Sequence, residues 1–164
     1  MALLAAGCGS SSNNTPTTTS STVTWANSVC GAAVTYGSSL TAAAKSVTGN
    51  PSKAGLQDAA DQVKSATDTF VSTIKGVGKP NTPSGQQAKA TLDTLATQLD
   101  TDSSTIQGAT EDSVLAGVAA ATGALATAQA QIKTAFSTLK GLDAKGELGQ
   151  AFAQASSCSS LTGS

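Results

Sequence analysis

The sequence predicts an all-α protein: an up-and-down four-helix bundle with a short fifth C-terminal helix, stapled by a disulfide. Small and aliphatic residues recur at alternating spacings of three and four through four long segments, which is the pattern of a helix with one buried face. Glycine, proline and asparagine separate those segments, as at Thr48-Gly49-Asn50-Pro51 and Gly78-Lys79-Pro80-Asn81. Two cysteines, Cys30 near the start of the first helix and Cys158 near the chain end, are placed to close the fold on itself.

The first helix is predicted from Val23 to Gly49, with Ala26, Val29, Ala33, Tyr36, Leu40, Ala43 and Val47 on its inner face. Asn50-Pro51 then reads as an N-cap followed by proline at the first helical position, where its missing N–H costs nothing. The second helix runs from Pro51 to Val77 on Leu56, Ala60, Val63, Thr67, Phe70, Ile74 and Val77. Thr82-Pro83 repeats the cap-plus-proline arrangement for the third helix, whose seam is Ala88, Leu92, Leu95 and Leu99. Asp102 occupies the next seam position and Ile106 restores the phase, so this helix ends either near Asp100 or at Gly108. Thr110-Glu111-Asp112 reads as the opening of the fourth, with acids where the helix dipole favours them. Its seam runs Val114, Val118, Ala121, Leu125, Ala128, Ile132, Ala135 and Leu139. Past Gly141-Leu142-Asp143, where Asp143 reads as a cap, a fifth helix carries Leu148, Phe152, Ala155 and Cys158 on one face.

Of 164 residues 39% are hydrophobic but only 3% aromatic, so the chain suffices for one domain with a thin core of Ala, Val, Leu and Thr. Such a core gains most from a covalent link. In the chain-entropy account, closing the long loop between Cys30 and Cys158 stabilises the fold by roughly 4–5 kcal/mol.

Residues 1–7 and Cys8 set the expected location. Leu4-Ala5-Ala6-Gly7-Cys8 looks like the end of a bacterial lipoprotein signal peptide, with Cys8 the lipidated first residue of the mature protein. The charged start is missing, the apolar part is short, and Ala5 stands three before the cysteine where leucine is usual. Residues 8–22 then form the lipidated cysteine and a Ser/Thr-rich tether too polar to pack, which reaches roughly 20 Å. The bundle spans 23–161, and 162–164 are a tail. Of the three cysteines, Cys8 would carry lipid and Cys30 and Cys158 would pair in an oxidising compartment; in a cytosolic protein the same two would be free thiols. No apolar run reaches the 18 or so residues of a membrane-spanning helix.

The chain's chemistry is bounded mainly by what it lacks. With no histidine, no arginine, nine lysines, ten acids and a net charge of −1, it has neither the basic face nucleic acid needs nor the usual nucleophile–base pair. No residue stands out for a Ser–Lys dyad, and no enzyme, metal or cofactor is expected. Gly76-Val77-Gly78-Lys79 resembles a phosphate loop only superficially, lacking the outer glycine and the Ser/Thr after lysine. Asp100, Asp102, Ser104 and Glu111 match part of a helix–loop–helix calcium site, but Thr105 stands where glycine must turn; an acidic helix end beside a capped helix start fits better. Trp25 and Tyr36 read as core plugs in preference to ligand-stacking rings.

Taken whole, the Leu4–Cys8 box, the Ser/Thr tract to Thr22, Trp25 and Val29-Cys30 at the domain's start, and Ala155-Ser156-Ser157-Cys158 at its end resemble the small secreted lipoproteins of actinobacteria. The resemblance implies an extracytoplasmic, lipid-anchored helical domain and carries over no functional residue. The expected function is a non-enzymatic envelope interaction or scaffold module with a protein partner. The alternative is a carrier or sensor holding a small apolar or lipid-like ligand between its helices. A groove lined by Val, Leu and Phe would favour the carrier, and a closed core with an exposed apolar patch the interaction module.

Overall fold

A computed structural model describes residues 20–162 of the chain. Its elements are α1 (Ser20–Gly49), α2 (Lys53–Val77), α3 (Gly85–Gly108), α4 (Val114–Leu142), α5 (Glu147–Gln154) and α6 (Ser156–Thr162). Cys8, expected to carry lipid, the expected signal segment 1–7, most of the expected tether 8–22 and the last two residues lie outside the described residues.

The long helices alternate in direction: α1 packs on α2, α2 on α3, α3 on α4, and α4 returns to α1. Every residue of the α1 seam is buried, from Ala26 to Val47, as is the α2 seam from Leu56 to Ile74. In α3 the seam continues through Leu99 to Ile106 and the helix to Gly108, so the acidic stretch from Asp100 to Asp102 is helix and offers no calcium loop. Spacing of three and four fixes these faces because a helix turns about 100° per residue, and alanine at the contacts lets the axes approach closely.

Helix starts differ from the sequence reading. For α2 the N-cap is Ser52, whose Oγ accepts from the Gly55 N–H at 3.2 Å; Asn50 and Pro51 precede it. Thr82 and Pro83 belong to a turn closed by Gly85 N–H to the Thr82 carbonyl, and α3 begins after Ser84. Glu111 and Asp112 likewise sit in a turn ahead of Ser113, the N-cap of α4. α1 begins at Ser20, ahead of the expected Val23, with Thr22 already buried. Val114 is 39% exposed, which corrects its place on the seam: it lies in the first turn of α4, and Gly117 takes the buried position one turn on. A Cβ on Gly117 would run into the Ala109 carbonyl, so glycine is required where α4 crosses the chain end of α3.

The C-terminal segment is two helices where one was predicted. Ala155, at φ −74° and ψ 110°, leaves helical geometry between α5 and α6. The break leaves Leu148, Phe152, Ala155 and Cys158 all buried while both helices pack on α1. Asp143 acts at the start of α5, where Gly146 is the N-cap, its Oδ2 accepting from the Leu148 N–H at 3.4 Å.

Cys30 and Cys158 form a disulfide with Cα atoms 5.0 Å apart, spanning 128 positions of sequence. Around it the structure concentrates most of its scarce aromatics. Phe152 of α5 meets Trp25 of α1 edge-on at 5.9 Å and Phe136 of α4 at 6.4 Å. The Trp25 indole N–H donates to the Gly78 carbonyl at 3.1 Å, fastening the start of α1 to the end of α2. Asn27 of α1 accepts from the Ser157 N–H at 3.1 Å, so a side chain of the first helix caps the last. Replacing Cys30 and Cys158 together by alanine is expected to lower Tm by roughly 10–20 °C in a thermal melt. An unchanged Tm would mean that the link adds nothing to stability.

Candidate functional site

The residues singled out by sequence are largely structural. Trp25 and Tyr36 are 6% and 1% exposed, and Gly78 receives the Trp25 hydrogen bond, so the Gly76–Lys79 stretch is a helix end fastened to its neighbour. Among the described residues, no group of three or more His, Cys, Asp or Glu side chains stands close enough to hold a metal ion.

Between α1 and α2 runs an open groove of about 720 Å³. Tyr36 and Phe70 form its floor, their rings 5.5 Å apart, and both are buried to 1–2% exposure. Its walls mix alanine with serine and threonine, beside Asp61 and Gln62, and Ser39, Thr69 and Thr73 donate their hydroxyls to backbone carbonyls one turn back. The groove therefore presents neither an apolar wall of Val and Leu nor a converging set of free polar groups.

Beneath it lies a polar layer. The Tyr36 hydroxyl is 3.1 Å from Thr67 Oγ1, and burial, more than the nearby Asp102 charge, pushes its ionisation up. Asp102 of α3 is hydrogen-bonded by Gln131 of α4, yet Asp102 Oδ2 and Gln131 Oε1 are both buried without a partner. Desolvation holds the Asp102 carboxyl above the ordinary carboxylate range, against the opposing effect of the Gln131 hydrogen bond. A proton on Asp102 supplies a donor where two acceptors otherwise stand unpaired.

Charge is divided unequally between the helices. From Ser20 to Gly49, α1 carries only Lys45, and from Val114 to Leu142, α4 carries only Lys133 and Lys140. The acids of the long helices are on α2 and α3, where Lys64–Asp68 and Lys89–Asp93 pair at 2.8 and 2.6 Å. Exposed pairs of this kind contribute only tenths of a kcal/mol. The outer face of α4 is therefore uncharged for most of its length, and at its head stands Leu115, 83% exposed. Ala116, Ala119, Gly123, Ala126 and Ala130 continue the exposed face beyond it. This face is the candidate site.

Sequence reasoning found the seam of α4 and missed its outer face. The available signal was compositional: between Val114 and Gln131 no residue is charged, so the helix holds more apolar surface than one buried stripe can use. The buried polar pair was signalled only by Asp102 falling on the α3 seam.

Compared with protein-family models, curated proteins and solved structures, the chain shows no match.

The Asp102–Gln131 pair makes a prediction with a definite sign. A carboxyl whose folded value lies above its unfolded one favours the protonated folded state. Its contribution is fully present below the unfolded value of about 4 and is lost as pH rises through the folded value. Asp102→Asn supplies the missing donor at every pH, so at pH 7 it is expected to raise Tm and to flatten the decline in stability above about pH 4. A lower Tm for the variant at pH 7 would contradict this account of the pair.

Proposed function

We propose that this protein is a non-enzymatic interaction module of the bacterial cell envelope, a small secreted lipoprotein of the actinobacterial kind. On this reading it is held extracytoplasmically at the cell membrane by lipid on Cys8, and it engages a protein partner through the outer face of α4. The observation that carries the reading is the 83% exposure of Leu115 at the head of an uncharged helix face, on a bundle whose interior is already filled. A single exposed leucine is ordinary; one that continues into an uncharged helix face is what a contact surface needs.

Three further features support it. The absence of histidine leaves no conventional nucleophile–base pair, in keeping with a binding role. The Cys30–Cys158 bond suits an oxidising compartment. Among the described residues no helix is long and apolar enough to cross a membrane, and on this reading attachment rests on the Leu4–Cys8 box. The carrier reading draws less support, because the groove between α1 and α2 has no wall of Val or Leu, and the Ser39 and Thr69 hydroxyls are bonded to their own helices.

A photo-crosslinking residue in place of Leu115, introduced in producing cells, is expected to yield protein adducts, while one in place of Asp68 on α2 yields none. Equal labelling from both positions, or no adduct from either, would remove the case for α4. The address is tested separately: Cys8→Ser in the full precursor is expected to move the protein from the membrane fraction to the soluble one. Retention in the membrane would defeat the lipid anchor.

A further inference from the structure

Building on the reading of α4 as a contact face, we infer that its partner is a second copy of this chain, packed antiparallel, α4 against α4. Helical rotation puts Leu115, Ala119, Ala126, Ala130 and Lys133 on one side of α4. All five are exposed. If a twofold axis falls between Thr122 and Gly123, Leu115 of one copy lies opposite Ala130 of the other, and Ala119 lies opposite Ala126. The large side chain at each end thus meets the small one it needs.

The same register pairs charge. Asp112, exposed just ahead of α4, is brought to the end of the seam where Lys133 of the second copy stands. Lys133 has no acid anywhere on its own helix, and the two side-chain ion pairs of the long helices involve other lysines. Gly123 stands next to the axis with open space around it, as Gly37 does on α1: a Cβ there would meet nothing within 4 Å inside the chain. Glycine inside a helix costs roughly 0.5–1 kcal/mol relative to alanine. At a crossing of two helices it lets the backbones approach. One axis therefore satisfies size, charge and the glycine together, as an isologous contact requires. An anionic lipid surface fits less well, because the face holds Lys133 alone and ends on Glu111 and Asp112.

The seam is about 30 Å long at 1.5 Å per residue, short of what a tight dimer buries. The pair is accordingly weak in dilute solution. It is strengthened when both copies are held on one surface, where effective concentrations reach the millimolar range.

The test is sedimentation equilibrium of the full chain carrying Cys8→Ser, which removes the free thiol, from about 10 μM to about 1 mM. Reversible dimerisation is expected. Leu115→Lys is expected to weaken it about tenfold or more, and Lys133→Asp likewise by setting two acids opposite each other. The double change Asp112→Lys with Lys133→Asp is expected to restore it. Circular dichroism checks that each variant folds, and the exposure of all three side chains leaves the core untouched. A monomer throughout the range, or a dimer indifferent to these changes, would overturn the inference. Crosslinking from Leu115 in cells separates the two levels. An adduct of twice the chain mass joining Leu115 to the Ala130 region supports the second copy. An adduct with a different protein, alongside a monomer in solution, overturns the second copy and leaves the α4 reading standing. A lipid adduct, or none, overturns both.

Discussion

The bond between Cys30 and Cys158 is the constraint on which the C-terminal end of the bundle depends, because the two C-terminal helices are too short to hold themselves. Isolated helices of 7 or 8 residues are marginal in water, and their stability has to come from what they pack on. Here that support is α1. The disulfide fixes α6 to it, Asn27 caps the first turn of α6, and Phe152 of α5 fills the space between Trp25 and Phe136. With only three phenylalanines, one tryptophan and one tyrosine in the chain, gathering three of the five rings at this end is a decisive use of them. The opposite end relies on alanine, leucine and glycine contacts, as where Gly117 meets the Ala109 carbonyl.

A core of this kind also shapes the surface. Alanine and threonine serve both inside and outside a helix, so α1 and α4 bury one face and leave another that is neither charged nor strongly apolar. On α2 and α3 that outer face carries Asp58, Asp61, Asp68, Asp93 and Asp100, which keep it solvated. On α4 it carries no acid at all, and Leu115 projects from its head. The contrast gives the molecule a solvated side and a side available for contact, a division that follows from composition before any site is considered.

Much of the fold was legible because a single rule, spacing by three and four, determines which residues of a long helix face inward. The seams of α1 and α2 and the inward Cys158 follow from it directly. Its limits lie where other forces decide. Asn50-Pro51 looks like a helix start, but Ser52 offers a hydroxyl at the right distance from Gly55, and local geometry selects it. The break at Ala155 is invisible to periodicity because the inward phase resumes after it; the bend is set by the need for α5 and α6 each to lie along α1. Asn27 as a cap for a helix 130 positions away has no local signature. The candidate site was the least legible part. Its signal is an excess of uncharged surface on α4, which becomes visible only once the buried stripe has been subtracted.

The claim that the C-terminal helices are held on α1 by the disulfide is tested most directly by native-state amide hydrogen exchange with the bond intact and reduced. Protection is expected to fall first in α5, α6 and the stretch of α1 around Cys30, while amides near Phe70 in α2 and Leu92 in α3 keep most of theirs. Unchanged protection in α5 and α6 after reduction would show that packing alone holds them. A uniform loss across all four long helices would show that the bond supports the whole bundle at once, with no separable C-terminal clasp. Either result would contradict the account.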